Sequence, residues 1–238
     1  FFSSTMSTDP EAAPNEGDVV KGHGHGDGHG HTQDNSEAGK HMNRHSFQDL
    51  VKRFEDPERL TTWKETENIQ QAFPELKGKV VADVGCGSGY FSFWLADMGA
   101  KVIALDVDDR FIDFVKGRIS KLATFDPNSP ATTIDVRQTT SECLNLEEAS
   151  VDMCLLINLY HHLSDRVEYF RKVKTQLKPG GCVIAIDFTK DGPNGPPAHL
   201  RLTPEEVKQE FEAAGLCVGL TLDLPCQWLI RGDAHGAQ

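Results

Sequence analysis

The residues best suited to chemistry lie in one run, Val80-Val81-Ala82-Asp83-Val84-Gly85-Cys86-Gly87-Ser88-Gly89-Tyr90-Phe91. An apolar strand passes directly into Gly-x-Gly-x-Gly and then into a helix. Glycines there permit positive φ and let a ligand approach the backbone at the sheet edge where such folds bind ligands. Asp106 ends the next apolar run, where a carboxylate can accept both hydroxyls of a ribose. A dinucleotide site favours Gly-x-Gly-x-x-Gly, and here the third glycine arrives one residue early. Asp83, two residues before the first glycine, can meet a cationic amine. Cys86 lies inside the loop, where it reads either as a small packing residue or as a reactive thiol, and packing is the simpler account.

A second constellation is Asn158-Leu159-Tyr160-His161-His162-Leu163, after a fourth apolar run. Residues there sit at the ligand-binding edge, so Tyr160, His161 or His162 can orient or deprotonate a bound molecule, with His161 foremost; the alternative is a structural role for all three. The loop 190–199, rich in Gly and Pro, follows the fifth strand and either shapes a pocket or simply crosses the surface.

Positioning these residues takes alternating strands and helices. Strands are expected at 79–84, 101–105, 132–136, 151–157 and 182–186, with helices at 90–98, 109–122 and 166–177 between them. Thr203-Pro204-Glu205-Glu206 is an N-cap, a Pro and a first acidic turn, opening a helix that runs to Gly215. Short strands at 216–222 and 226–231 suggest an antiparallel pair at one edge. The fold class is α/β: a doubly wound, mostly parallel seven-stranded sheet with an antiparallel C-terminal edge strand. Upstream, Phe47, Leu50, Val51 and Phe54 recur at helical spacing, and a second helix is expected at 58–73. This helical cap, 46–75, either packs on the domain or turns Phe54 and Trp63 towards a substrate.

Residues 1–45 are poor in apolar side chains and read as a disordered leader. Within it, Gly22 to His31 alternates Gly with His or Asp, able to wrap imidazoles around a divalent metal incidentally. Opening on Phe1, the chain reads as a fragment or a processed product, with Met6 as a possible initiator. The start lacks the pattern of a secretory signal. The 238 residues carry 24 Lys plus Arg against 36 Asp plus Glu, a net charge of −12, which argues against nucleic acid as a partner. No apolar run approaches the roughly 20 residues that span a bilayer. Six cysteines without a Cys-x-x-Cys fit a reducing compartment, so the expected location is the cytoplasm, or an organelle if a targeting piece is missing.

The chain resembles the class I S-adenosylmethionine-dependent methyltransferases. The matching residues are 83–89, Asp106, 158–163 and Leu177-Lys178-Pro179-Gly180-Gly181. The His-rich leader, Phe54-Glu55-Asp56-Pro57-Glu58-Arg59 and Tyr160-His161-His162 are similar to a group of small stand-alone members. The resemblance implies a Rossmann-like domain over 76–238 with S-adenosylmethionine as cofactor and a small-molecule acceptor. Asp83 and the backbone of Gly85, Cys86, Gly87 and Gly89 would then hold the methionine part. Asp106 would bind the ribose, with Val107 beside the adenine. The family often places an acid and a small residue after the third strand; this chain has Thr139-Thr140-Ser141-Glu142, with the acid missing or displaced, so that Ser141 or Glu142 would take that place. Asn158 would lie near the transferring methyl. A nucleotide-dependent oxidoreductase and a non-catalytic ligand- or metal-binding protein are the competing readings.

Overall fold

A computed structural model describes residues 44–234, which lie within one compact unit. The leader, with its Gly/His tract, falls outside the described residues apart from its last two positions. Three short helices come first: α1 (Phe47–Phe54), α2 (Glu58–Thr61) and α3 (Glu65–Ala72). The strands are β1 (Val80–Val84), β2 (Lys101–Asp106), β3 (Asp135–Gln138), β4 (Val151–Ile157), β5 (Leu177–Phe188), β6 (Cys217–Asp223) and β7 (Gln227–Asp233). Between them run α4 (Tyr90–Asp97), α5 (Asp109–Phe125), α6 (Arg166–Gln176) and α7 (Pro204–Ala213).

The strands form one seven-stranded sheet in the order β3-β2-β1-β4-β5-β7-β6. Pairing is parallel from β3 through β5, and β7 is antiparallel to both β5 and β6. The antiparallel pair is therefore at one edge, with β7 inserted and β6 outermost. Strand order reverses between β1 and β4, the switch point where open α/β sheets leave a crevice at their carboxyl ends.

Alternation along the strands feeds two cores. Cys154, Leu156, Val183 and Ala185 join Phe170, Phe211 and Trp228 on one face, under α6 and α7. Met153, Leu155, Ile184 and Ile186 join Ile69, Leu95 and Val115 on the other, under α3, α4 and α5. Burial on both faces is what parallel strands require. Helix α7 opens on a reciprocal cap: the Glu206 amide donates to Thr203 Oγ1 at 3.2 Å, and the Thr203 amide donates to Glu206 Oε2 at 2.7 Å.

Three expectations shift. The helix expected at 58–73 is split, because Lys64 takes a left-handed φ of +52° and the Asn68 side chain donates to the Trp63 carbonyl at 3.1 Å. The strand expected at 132–136 begins at Asp135, after a 3₁₀ turn at Pro130–Thr133. Thr132 and Thr133 hydroxyls donate back to the Ser129 and Pro130 carbonyls, competing with extended backbone. The segment 177–181, expected only to end a helix, is already the start of β5.

Candidate active site

At the carboxyl ends of β1, β2, β4 and β5 lies a cavity of about 440 Å³. Asp83, Gly85, Cys86, Gly87, Asp106, Val107, Ser141, Asn158, His161 and His162 all line it. So do Phe54 and Trp63 of the helical cap and Pro196 of the 190–199 loop.

One wall is the glycine loop with its two acids. Gly85 and Gly87 have φ of +69° and +51°, and a Cβ at either would stand 2.9 Å from Leu159 Cδ2 or 2.8 Å from Phe54 Cδ2. Both conformation and close approach therefore demand glycine. Asp106 is held by two amides: the Gly87 N–H donates to Oδ2 at 2.9 Å and the Asp108 N–H to Oδ1 at 3.0 Å. Asp83 accepts the Ser92 hydroxyl at 2.5 Å. Burial raises Asp106 to about 6 against the pull of those amides. Burial likewise raises Asp83 to about 6, with the Ser92 hydrogen bond opposing and nearby Asp106 adding to the rise. Two carboxylates so placed gain from any cation that enters. Ser88 Oγ, on the same wall, is buried with no hydrogen-bond partner. Burial also pushes the Cys86 thiol well above its usual range, helped by Asp106 and Asp83, which disfavours the thiolate a nucleophile needs.

Another wall is built around His161. Its Nδ1 lies 2.9 and 2.8 Å from the two carboxylate oxygens of Asp187, and its amide donates to Asp187 Oδ2 at 3.1 Å. Both side chains are buried. The Phe188 amide also donates to Asp187 Oδ1 at 2.8 Å. Its Nδ1 thus faces the Asp187 carboxylate, and the residue lines the cavity. His162 packs on it at a ring-centroid distance of 4.4 Å. Beside the dyad, Phe188 meets Trp63 edge to face, centroids 5.6 Å apart. Arg201 fixes the 190–199 loop through the carbonyls of Pro196 and Gly192, each at 2.6 Å.

Asn158 joins the walls. At a left-handed φ of +55°, it accepts from Gln227 Nε2 at 2.8 Å and donates to Glu65 Oε1 at 3.4 Å. Glu65 is buried against Arg59, Nε to Oε2 2.6 Å, and accepts from Gln227 at 2.7 Å. Arg59 stands over the Phe91 ring at 4.8 Å. Every charge in this network is paired, as burial requires.

Two expected site residues are elsewhere. Tyr160 does not line the cavity: its hydroxyl donates to Glu210 Oε2 at 2.6 Å, and its ring stacks on Phe170 in the opposite core. The 3₁₀ turn Tyr160–His162 buries Tyr160 and leaves His161 and His162 on the cavity wall. Gly89 begins α4 at φ +80° and faces Val115 and Phe93, shaping the loop from behind. Sequence reasoning missed Asp187, Glu65, Arg59 and Gln227. An acid closing the apolar run Ala185-Ile186-Asp187 was the available signal for the first; the others carry none. No group of three metal-ligating side chains occurs among the described residues, and no helix there is long and apolar enough to cross a membrane.

Comparison with known proteins agrees with this architecture. An S-adenosylmethionine-dependent methyltransferase of Mycolicibacterium smegmatis is 29 % identical over 167 residues, covering 67 % of this chain and 57 % of that protein. A ubiquinone biosynthesis O-methyltransferase of Roseobacter denitrificans is 32 % identical over 121 residues, covering 50 % and 46 %. The chain thus spans about half the length of the curated relatives it matches. A crystal structure of a SAM dependent methyltransferase from Aquifex aeolicus superposes with a TM-score of 0.70 at 23 % identity, covering 80 % of this chain and all of that one. Residues 82–185, from β1 to β5, match the family model described as a methyltransferase domain, and the fold is that of the Aquifex aeolicus methyltransferase structure.

Proposed function

We propose that this protein transfers the methyl group of S-adenosylmethionine to a small molecule. The observation that carries the reading is the pair of buried carboxylates, Asp83 and Asp106, flanking a glycine loop on the wall of one cavity. The residues fit such a ligand: two acids await a cation, Ser88 Oγ awaits a partner, and Gly85 and Gly87 leave room for close approach. In this reading Asp83 meets the methionine ammonium, with the backbone of Gly85, Cys86 and Gly87 beside it. Asp106 takes the ribose hydroxyls, Val107 and Ser141 border the adenine, and Asn158 lies near the methyl. Gly89 holds the loop's shape.

S-adenosylmethionine supplies a sulfonium whose methyl is open to in-line displacement. The protein's own work is position and electrostatics. Phe54, Phe111 and Leu50 close the apolar side of the cavity and exclude water, while His161 and His162 stand at the acceptor. The negative balance, −12, supports an uncharged or modest small-molecule acceptor over nucleic acid. All six cysteines are free, in keeping with the cytoplasm.

Calorimetric titration with S-adenosylmethionine and, separately, NADH tests this. Saturable binding of the first, weakened in Asp106→Ala, is the expected result. Binding of NADH alone would transfer the assignment to an oxidoreductase, and binding of neither would leave a non-catalytic module.

A further inference from the structure

We propose that His161, positioned by Asp187, is the general base of this site, and that the acceptor is a phenol-type hydroxyl on a largely apolar small molecule. The inference rests on the methyl-transfer reading and goes on to name the acceptor atom.

The geometry is specific. Asp187 spends both oxygens on His161 and also takes two backbone amides, those of His161 and Phe188. A carboxylate so engaged is fixed, and it fixes the ring in turn through Nδ1, on a residue that lines the cavity, which assigns the proton transfer to the other ring nitrogen, Nε2. An acid that only satisfied a buried histidine would not need to bring that ring to a cavity wall. Around it the surface is apolar and aromatic: Trp63, Phe188, Leu159, Leu163 and Pro196. The Trp63–Phe188 pair offers an edge and a face to a flat ring.

The chemistry of the acceptor decides why a base belongs here. A thiol near neutral pH ionises unaided. A phenol hydroxyl ionises at about 10, so it must shed its proton as it attacks. The acceptor oxygen passes its proton to His161 Nε2 and forms a bond to the methyl carbon. The carbon–sulfur bond breaks with its electron pair on sulfur. The products are a methyl ether, neutral S-adenosylhomocysteine and an imidazolium stabilised by Asp187, which then releases the proton to water.

Charged groups facing His161 are few. Asp187 faces it from β5, and His162 packs on it from its own turn. The cavity's remaining ionisable side chains are Asp83, Cys86, Tyr90, Asp106, Asp108 and Tyr169, with Arg53, Arg59 and Arg110, of which Arg59 is paired with Glu65 and Arg110 with Asp108.

The test uses the full chain and three probes. With S-adenosylmethionine saturating, methylation of catechol is compared with that of thiophenol, which needs no base. His161→Gln, which keeps a donor towards Asp187, is expected to lose about 100-fold on catechol and no more than about threefold on thiophenol. Asp187→Asn, which loosens the ring's anchor, is expected to lower kcat on catechol with its KM kept and to leave thiophenol turnover within about threefold. Independently of turnover, 4-nitrophenol bound to the S-adenosylhomocysteine complex below its solution ionisation should show the phenolate spectrum in the wild type and the phenol spectrum in His161→Gln. Equal losses on both acceptors in either variant, no change in the bound spectrum, or no transfer to catechol by the wild type would overturn the proposal. Calorimetric affinity for S-adenosylmethionine, unchanged in both variants, separates these outcomes from failure of the methyl-transfer reading itself.

Discussion

On one wall of the cavity, Asp83, Gly85, Gly87 and Asp106 come from a single β1–loop–α4–β2 run. On the other, His161, Asp187, Trp63 and Phe188 come from the turn after β4, the end of β5 and the break between α2 and α3. The first wall is made by backbone: amides, positive-φ glycines and the ends of adjacent parallel strands. The second is made by side chains meeting from distant parts of the chain, and it carries the aromatic surface. In the proposed reading, chemistry common to many acceptors belongs to the first, and discrimination among acceptors to the second.

Substitutions should divide along this line. Asp106→Ala removes a buried carboxylate whose charge-assisted bonds are worth about 1.5–3 kcal/mol each, so S-adenosylmethionine affinity should fall about 100-fold by calorimetry. Acceptor affinity measured in the S-adenosylhomocysteine complex should stay unchanged; a parallel loss would mean that the two walls are not separable.

The pH dependence sharpens the same contrast. Asp83 and Asp106 both sit at about 6, above the ordinary 3.8. In the ligand-free protein they hold protons that the unfolded chain has released, so their contribution to stability is full below about pH 4 and is lost as pH rises through about 6. A bound cation prefers the ionised forms, so affinity should move the other way. It should tighten about tenfold per carboxylate between about pH 5 and 7.5, and a flat profile would remove these acids from the ligand's reach.

Trp63→Ala should raise the acceptor KM about tenfold through lost aromatic contact, with S-adenosylmethionine affinity within about twofold. If the methyl donor is affected instead, the cap serves the first wall. The smallest catalytic effect is expected at Tyr160→Phe. One buried hydrogen bond to Glu210 is lost, leaving Glu210 paired with Arg166, so Tm should fall about 2–4 °C with kcat unchanged. A large loss in kcat would return Tyr160 to the site. Last, deleting residues 22–31, which lie outside both walls' sequence, should leave S-adenosylmethionine affinity and methyl transfer as they were.

Legibility follows the same division. The glycine loop, Asp83 and Asp106 are readable because strand, turn and helix are neighbours in the chain, and their spacing alone places them at one sheet edge. His161 was readable as a residue at that edge but not as half of a dyad. Tyr160 carried the same signal and is core, because which of two adjacent side chains enters the cavity depends on the turn's backbone and on the cavity that α6 and α7 fill from the other side. The split of the second helix at Lys64 was not readable: the residues on either side of it, Arg59 and Glu65, form a buried pair completed by Gln227, 162 residues away from Glu65.

What the sequence determined by itself, then, is the alternation of strands and helices, the phosphate-free glycine spacing and the two acids beside it. These rest on local backbone chemistry and on burial patterns of period two and 3.6. Only the tertiary structure decided the second wall. Placing β5 beside β4, with Ile157 opposite Ile186, brings Asp187 under His161, and folding the cap back brings Trp63 onto Phe188. Such pairings are set by the strand order of the whole sheet and by the desolvation of buried charges, which must find partners wherever the fold brings them.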